Sequence, residues 1–300
     1  MKINGIYITG VRSILALSSL CVLLFSPVAG LFPGFHINKI MEGASGIEKI
    51  NIFFWFDNIY IPFGISIAVL VLVLLGIYPR LVSILHSVVS YSIFYSMLII
   101  EGGDQINSIL TFLLIPVCLC DNRIFGWKNA DITIKNLYLS YFVHVNLLVI
   151  KVQMALLYLN AGVAKLFQEE WRNGTAVYYW FNDNVFGAPH WQKFLFSFIF
   201  TNNLLVSIVN YGVILLELML FVVLFLSQND KYRLFIFAFI FHLLIFLTHG
   251  LPSFGLSMTA GLVLLLFDSG YSISQNFALM KIAIKNTFRY DHFSGKFQTK

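Results

Sequence analysis

The sequence has 300 residues, of which 59% are hydrophobic, 17% aromatic and only 11% charged, and its formal net charge is +5 at pH 7. Several apolar runs of about 20 residues match the thickness of a bilayer and exclude an ordinary soluble globule. The aromatic residues repeat in helix-length runs, unlike the alternating segments of about ten residues in a membrane barrel. The composition predicts an all-α protein, a polytopic bundle of membrane helices.

Eight membrane spans are predicted, at residues 7–31, 59–78, 81–100, 105–120, 137–165, 204–227, 232–249 and 252–268. After the fifth span, residues 166–203 carry Trp and Tyr side chains of the kind that settle at a bilayer interface, so this segment is predicted to lie on the membrane. We find no internal repeat and no linker. Residues 1–270 are therefore predicted to form one transmembrane domain, and residues 271–300 a basic cytoplasmic tail.

Basic residues in the connections predict the orientation of the chain. With the N-terminus in the cytoplasm, 12 basic residues lie inside and four outside, so both termini are expected in the cytoplasm of a cell-membrane protein. The outside set is Lys39, Lys49, Arg172 and Lys193. The net positive charge suits anionic lipid headgroups, and no nucleic-acid motif is present. The three cysteines lie in apolar runs and predict neither a disulfide framework nor a thiolate metal site.

Polar residues converge at the predicted outer level of the bundle. They are Glu101, Asp104, Gln105, Asn107, Asn160, Lys165, Glu169, Glu170, Arg172 and His249.

Within "EGGDQ", two interpretations compete. In one, a glycine turn joins two helices and Asp104 caps the second. In the other, Gly102 and Gly103 let the backbone approach a ligand while Asp104 and Gln105 point into a cavity. Arg172 is a candidate to hold a carboxylate, and His249 to carry a proton.

Span five carries a polar stripe at seven-residue intervals: His144, Lys151, Tyr158 and Lys165. Such a stripe should face the interior of the bundle. Counting from the helix ends places Glu217 at the depth of Lys151, which predicts a structural ion pair between them, with Arg12 as a competing partner of Glu217. His86, His144 and His242 are interpreted as core histidines. His242 and His249 are about 10 Å apart along a helix, too far to share a metal ion, so no metal centre is predicted.

Two groups of motifs carry a resemblance to known families. "AGVAKL" at a helix end, followed by "EEWRNGTAVYYW", resembles the horizontally transferred transmembrane domain found in vitamin K-dependent γ-glutamyl carboxylase. "GGDQINSILTFLLIP" and "DNRIFGW", together with the chain length, resemble the sporulation-delaying protein B family of bacterial membrane proteins that mature secreted peptide toxins. The resemblance extends from Arg12 to His249.

The resemblance implies a function, a cofactor and partners. Lys165 occupies the position of the carboxylase base that activates a reduced quinone, which makes a quinone the implied cofactor, and Asp104-Gln105 replaces an Asn-His pair. Trp171 of the resembling turn and Asn160, which the depth argument places at the same outer level, join the predicted substrate or cofactor site. The expected function is maturation of a secreted antimicrobial or toxin peptide, a bacteriocin, with a small companion protein as a second partner. The alternatives are a non-enzymatic export or chaperone component and a transporter, although the latter usually shows repeats.

Overall fold

A computed structural model describes residues 2–294 of the chain, with side chains to residue 286. Within them, the helices are α1 (Gly5–Phe25), α2 (Val28–Leu31), α3 (Gly34–Gly43), α4 (Tyr60–Leu75), α5 (Pro79–Ser96), α6 (Gly102–Leu113), α7 (Ile115–Leu119), α8 (Leu137–Leu166), α9 (Glu169–Arg172), α10 (Ala176–Asn182), α11 (His190–Leu195), α12 (Ser197–Phe200), α13 (Asn203–Val222), α14 (Gln228–His249), α15 (Pro252–Leu266) and α16 (Ile273–Ser294). Short 3₁₀ turns occupy Gly46–Ile50, Ile52–Phe54 and Val223–Phe225.

The prediction of a helical membrane protein is confirmed, but its finer details are not all reproduced. Among the described residues, five segments are long and apolar enough to cross a membrane: Gly5–Phe25, Gly102–Leu119, Leu137–Leu166, Asn203–Phe225 and Gln228–His249. Two shorter helices, Tyr60–Leu75 and Pro252–Leu266, are also apolar. A helix lies in each of the eight predicted ranges, and the count of eight spans stays a prediction.

Three regions differ from the sequence prediction. The first helix ends at Phe25 and not at residue 31, because Ser26 is extended before Pro27, as the proline ring requires of the preceding residue. Residues 166–203 form four short helices, α9 to α12. A small antiparallel ribbon pairs β1 (Ile3–Asn4) with β2 (Asp131–Ile132), which a purely all-α prediction did not include.

The chain divides into two compact units, and the first comprises Met1–Ile150, Pro252–Leu264 and Asp268–Asn276. Helix α1 packs against α4, α5 and α6, and α5 also packs against α4, α6 and α7. Neutral polar groups link these helices. Asn107 Nδ2 donates to Leu15 O at 2.8 Å, and Ser18 Oγ donates to Ser253 O at 3.0 Å. Close packing of small polar residues of this kind stabilises helix contacts in membranes.

The "DNRIFGW" motif is a structural loop of the first unit. Arg123 forms an ion pair with Asp121 at 2.6 Å and donates to the carbonyl of Gly126, also at 2.6 Å. Trp127 Nε1 donates to Leu74 O at 2.9 Å, which ties the loop to the end of α4. The contacts of Arg123 thus stabilise the turn of the motif itself, and Trp127 attaches that turn to α4.

The second unit comprises Lys151–Leu251, Leu265–Phe267 and Phe277–Lys300. Helix α13 packs against α10, α12 and α14, and the Phe181 and Phe200 rings stack with centroids 3.9 Å apart. The range predicted as a tail, 271–300, contains the helix α16 as far as Ser294, and its residues 295–300 lie outside the described residues. Its cytoplasmic location and the 1–270 domain remain predictions.

Candidate functional site

Lys165, at the end of α8, forms an ion pair with Glu217 in α13. Lys165 Nζ donates to Glu217 Oε1 at 2.7 Å and to Oε2 at 2.8 Å. Only 6% of the glutamate side chain and 21% of the lysine side chain are exposed. A buried pair is tolerated when both charges are hydrogen bonded, and ionisable groups within membrane helices mark sites of function more often than sites of stability.

The predicted Lys151–Glu217 pair is wrong, because the partner of Glu217 is Lys165. Lys151 lies about four turns, or roughly 21 Å, from Lys165 along α8, so one carboxylate cannot reach both. The error came from counting depth from the start of α13. The first turns of α13 contact the polar turn after α8, so Glu217 lies beside the end of α8. Arg12, the competing candidate, donates through Nη1 to Pro79 O at 3.3 Å.

Gly162 explains how the ion pair forms. A Cβ atom at Gly162 would lie 3.0 Å from Leu218 Cδ2 and 3.4 Å from Glu217 Cβ. The absence of a side chain therefore lets α13 approach α8 one turn before Lys165. Small residues commonly allow membrane helices to approach in this way. The small residues of "NAGVAK" thus bring Glu217 within reach of the lysine.

A third helix contributes a second polar contact to the same region of the unit. Tyr158 of α8 and His242 of α14 are hydrogen bonded, with Tyr158 Oη 2.9 Å from His242 Nε2, and both side chains are buried. Tyr158 precedes Lys165 by seven residues on α8, which is two helical turns or about 10 Å along the same face. We call Tyr158, Lys165, Glu217 and His242 the three-helix polar cluster, since α8, α13 and α14 supply them.

The turn "EEWRNG" is fixed on α13 and covers the lysine. Asn210 Nδ2 donates to the Trp171 carbonyl at 2.9 Å, and Tyr211 Oη donates to the Arg172 carbonyl at 2.6 Å. Gly174 has a φ of +76°, a left-handed conformation that favours glycine. The Trp171 ring centroid lies 5.1 Å from Lys165 Nζ, which is within cation–π range.

An open cleft of about 690 Å³ lies at this turn. Glu169 and Glu170 supply its carboxylates, Trp171, Tyr179 and Trp180 its aromatic rings, and the remaining lining residues are Gln168, Asn173, Thr175 and Ala176. Its volume falls within the range of ordinary ligand sites, about 300–1,000 Å³. Trp171 both lines the cleft and contacts Lys165, so it connects the cleft with the three-helix polar cluster.

The other predicted site residues of this unit have separate surroundings. His249 Nδ1 lies 2.6 Å from the Phe186 carbonyl oxygen, and its ring meets that of Trp180 edge-on with centroids 6.4 Å apart. Arg172 and Asn160 are exposed. Of the predicted set, the structure therefore brings Lys165 and Trp171 into contact and gives His249 a partner outside the polar cluster.

The "EGGDQ" stretch, in the first unit, is a helix cap. Asp104 Oδ2 accepts a hydrogen bond from Glu101 N at 3.2 Å within a capping box whose N-cap is Glu101. The capping interpretation therefore holds in part, because Gly102 and Gly103 are the first residues of α6 and not a turn before it. A Cβ at Gly103 would lie 2.5 Å from Phe254 Cα, so the glycine allows close backbone contact with α15, and a Cβ at Gly102 would lie 3.5 Å from the Phe254 ring. Gln105 is exposed. Burial, and then the charge of Asp104, raise the pKa of Glu101 to about 7.

Sequence reasoning missed the residues that complete the site. Glu217 was predicted to have a structural role elsewhere, His242 to be an ordinary core residue, and Glu169 and Glu170 were not assigned to a binding surface. One signal was present: Tyr158 and Lys165 share the seven-residue stripe of α8, so a histidine and a glutamate on neighbouring helices were natural partners for them.

Two proteins of Bacillus subtilis (strain 168) are similar to the chain over most of its length. Sporulation-delaying protein SdpB is 33% identical over 294 residues, which cover 95% of this chain and 86% of that protein. The uncharacterized protein YitO is 35% identical over 266 residues, which cover 85% of this chain and 83% of that protein. No family model and no solved structure matches the chain.

Proposed function

The chain belongs to the family of sporulation-delaying protein SdpB, and from this premise we propose that it is a membrane factor in the maturation of a secreted toxin peptide. The observation that carries the proposal is the buried Lys165–Glu217 pair, at 2.7 Å, joined through Trp171 to an open cleft. A purely structural bundle gains little from a buried ion pair, because apolar residues of similar volume are often as stable. The pair is therefore proposed to act in maturation.

Sidedness and partners belong to the same proposal. The excess of basic residues in the predicted inner connections favours cytoplasmic termini, eight spans and a cleft that opens on the outer face, where a secreted precursor is accessible. A small companion protein and the surrounding lipids are the other proposed partners. Kinship with the transmembrane domain of the carboxylase is supported by the "AGVAKL" and "WRNG" motifs.

Lys165 can serve as a base if its proton first moves within the pair. One proton passes from Nζ to Glu217 Oε1, which leaves a neutral amine and a carboxylic acid. The amine can then take a proton from the peptide, and the pair is restored when Glu217 releases the proton that it holds to water. General-base catalysis of this kind contributes about 10²–10⁴-fold to a rate.

A reduced quinone, the cofactor implied by the carboxylase resemblance, does not fit these surroundings. Loss of a proton from a quinol creates an anion, which the lining carboxylates of Glu169 and Glu170 would repel. No step is therefore assigned to a quinone.

The test compares Lys165→Arg with Lys165→Ala in a strain that makes the precursor peptide. Arginine keeps the charge but does not give up a proton, so we expect both variants to lower the yield of mature peptide by about 10²-fold. The yield is measured from the mass of the secreted peptide, with Lys39→Ala, an exposed position, as the control and membrane accumulation measured in parallel. Full maturation with arginine would contradict the base role and leave an electrostatic one.

A second candidate function is a non-enzymatic chaperone or export component for the same peptide. It is favoured by the two hydrogen bonds that Lys165 donates to Glu217 and by the open aromatic cleft, features that suit binding as well as chemistry. This candidate predicts that precursor and secreted peptide have the same mass and that Lys165→Arg is tolerated.

A further inference from the structure

The acidic cleft at the turn after α8 has the composition of a cation site. We propose that it binds a cationic side chain, a lysine or an arginine, of the peptide that the protein matures. This inference rests on the proposed function, because it names the class of substrate that the same site takes.

Charge is the first argument. Two lining residues, Glu169 and Glu170, carry a formal negative charge, and none of the described residues that line the cleft is basic. Lys165 lies nearby, but both of its short contacts go to the Glu217 carboxylate, so it does not neutralise the lining acids. The residues that line the cleft therefore carry two formal negative charges and no positive one, a charge that attracts cations and repels anions.

The aromatic lining is the second argument. Trp171, Tyr179 and Trp180 surround the same space as the two carboxylates. The ring of Trp171 already accepts an ammonium group, that of Lys165, at 5.1 Å. Aromatic rings combined with negative charge are the usual recognition elements for ammonium and guanidinium groups. A metal ion would be held by several oxygen or imidazole ligands and would gain nothing from indole rings.

The cleft is also held in a fixed shape. Thr175 donates to the Glu170 carbonyl through its backbone N at 2.9 Å and through Oγ1 at 3.3 Å. Asn210 and Tyr211 of α13 hold the carbonyls of Trp171 and Arg172. A rigid site loses less entropy when a ligand binds. With a volume of about 690 Å³, the cleft can admit a peptide segment and not merely one ion.

The experiment measures binding of a defined peptide to the full chain in a neutral detergent. The probe is the capped pentapeptide acetyl-Gly-Leu-Lys-Leu-Gly-amide, and its partner probe carries acetyllysine, which removes the charge. We expect the lysine peptide to bind about tenfold more tightly than the acetylated peptide, and Glu169→Gln with Glu170→Gln to remove that difference. Glu42→Gln, an exposed residue of α3, is the matched control. The readout is the change in tryptophan fluorescence.

Three results would overturn the assignment. Equal binding of the two peptides would show that charge is not recognised. A difference that survives the double glutamine change would place the cation elsewhere. Loss of peptide binding when phosphatidylethanolamine or phosphatidylcholine is added to the detergent would identify the ammonium group of a lipid as the ligand.

Failure of the proposed function would appear differently. If the lysine peptide binds as expected, but secretion of mature peptide is unaffected by Lys165→Ala, the cleft assignment stands and the maturation role fails. If maturation depends on Lys165 but is unaffected by Glu169→Gln with Glu170→Gln, and these changes also leave binding intact, only the cleft assignment fails.

Discussion

Two glycine-containing stretches, one in each compact unit, let helices approach closely but with different results. In "EGGDQ", Gly103 contacts the backbone of Phe254, and the adjacent carboxylate of Asp104 caps its own helix. In "NAGVAK", Gly162 faces the side chains of Leu218 and Glu217, and Lys165 pairs across to a different helix. The first arrangement satisfies a helix end, whereas the second assembles opposite charges from two helices.

The interiors of the two units show the same contrast. In the first, Ser18 and Asn107 donate to backbone carbonyls, which are neutral contacts that stabilise packing. In the second, an ion pair and a Tyr158–His242 hydrogen bond lie within the three-helix polar cluster. A polar residue at a helix end is therefore best judged by whether its hydrogen bonds stay within its own helix.

The largest expected effect comes from removing one member of the Lys165–Glu217 pair. Glu217→Leu and Lys165→Met should each lower the free energy of unfolding by about 3 kcal/mol, because an uncompensated charge remains buried. The double variant should regain most of this loss, since two apolar side chains can pack where the pair lay, yet secrete no mature peptide. Thermal unfolding in detergent and the mass of the secreted peptide measure the two effects. Additive losses in the double variant would contradict the pairing.

Sequence periodicity was sufficient to predict helices, because apolar runs of bilayer length leave few alternatives. It could not predict α9 to α12, each too short to show a helical period. Helix α9 depends on a distant contact, because Asn210 of α13 donates a hydrogen bond to the carbonyl of Trp171 in α9. Lys165 and Trp171 were predicted to belong to one site, and they are in contact.

The partners of these residues were less predictable. The start of α13 does not lie level with the end of α8, so depth counted along the chain assigned Glu217 to Lys151. For "EGGDQ", both interpretations were compatible with the sequence. The contact that explains the close approach of Gly103 comes from Phe254, far along the chain, and no local pattern specifies it.

A smaller effect should distinguish the contact at Gly162 from general helix packing. Gly162→Val places methyl groups against Leu218 and Glu217, so we expect a loss of about 2 kcal/mol from overpacking together with less mature peptide. The control is Gly212→Val in α13, where nothing lies within 4 Å of the added Cβ. Unfolding midpoints and peptide yield per folded molecule are the readouts. Equal effects at both glycines would contradict a specific role for the close approach.

The smallest expected effect concerns pH and the Glu101 cap of the first unit. Burial and the charge of Asp104 raise the pKa of Glu101 from its ordinary 4.5 to about 7. A carboxyl group whose pKa is higher in the folded state binds protons more tightly there, so its contribution to stability is complete below about pH 4.5 and is lost as the pH rises through about 7. Because the residue is only partly buried, we expect a change of less than about 1 kcal/mol. Unfolding midpoints at pH 5 and pH 8 should differ less in Glu101→Gln than in the unmodified chain, while Glu42→Gln keeps the full difference. An undiminished difference in Glu101→Gln would assign the pH dependence to another group.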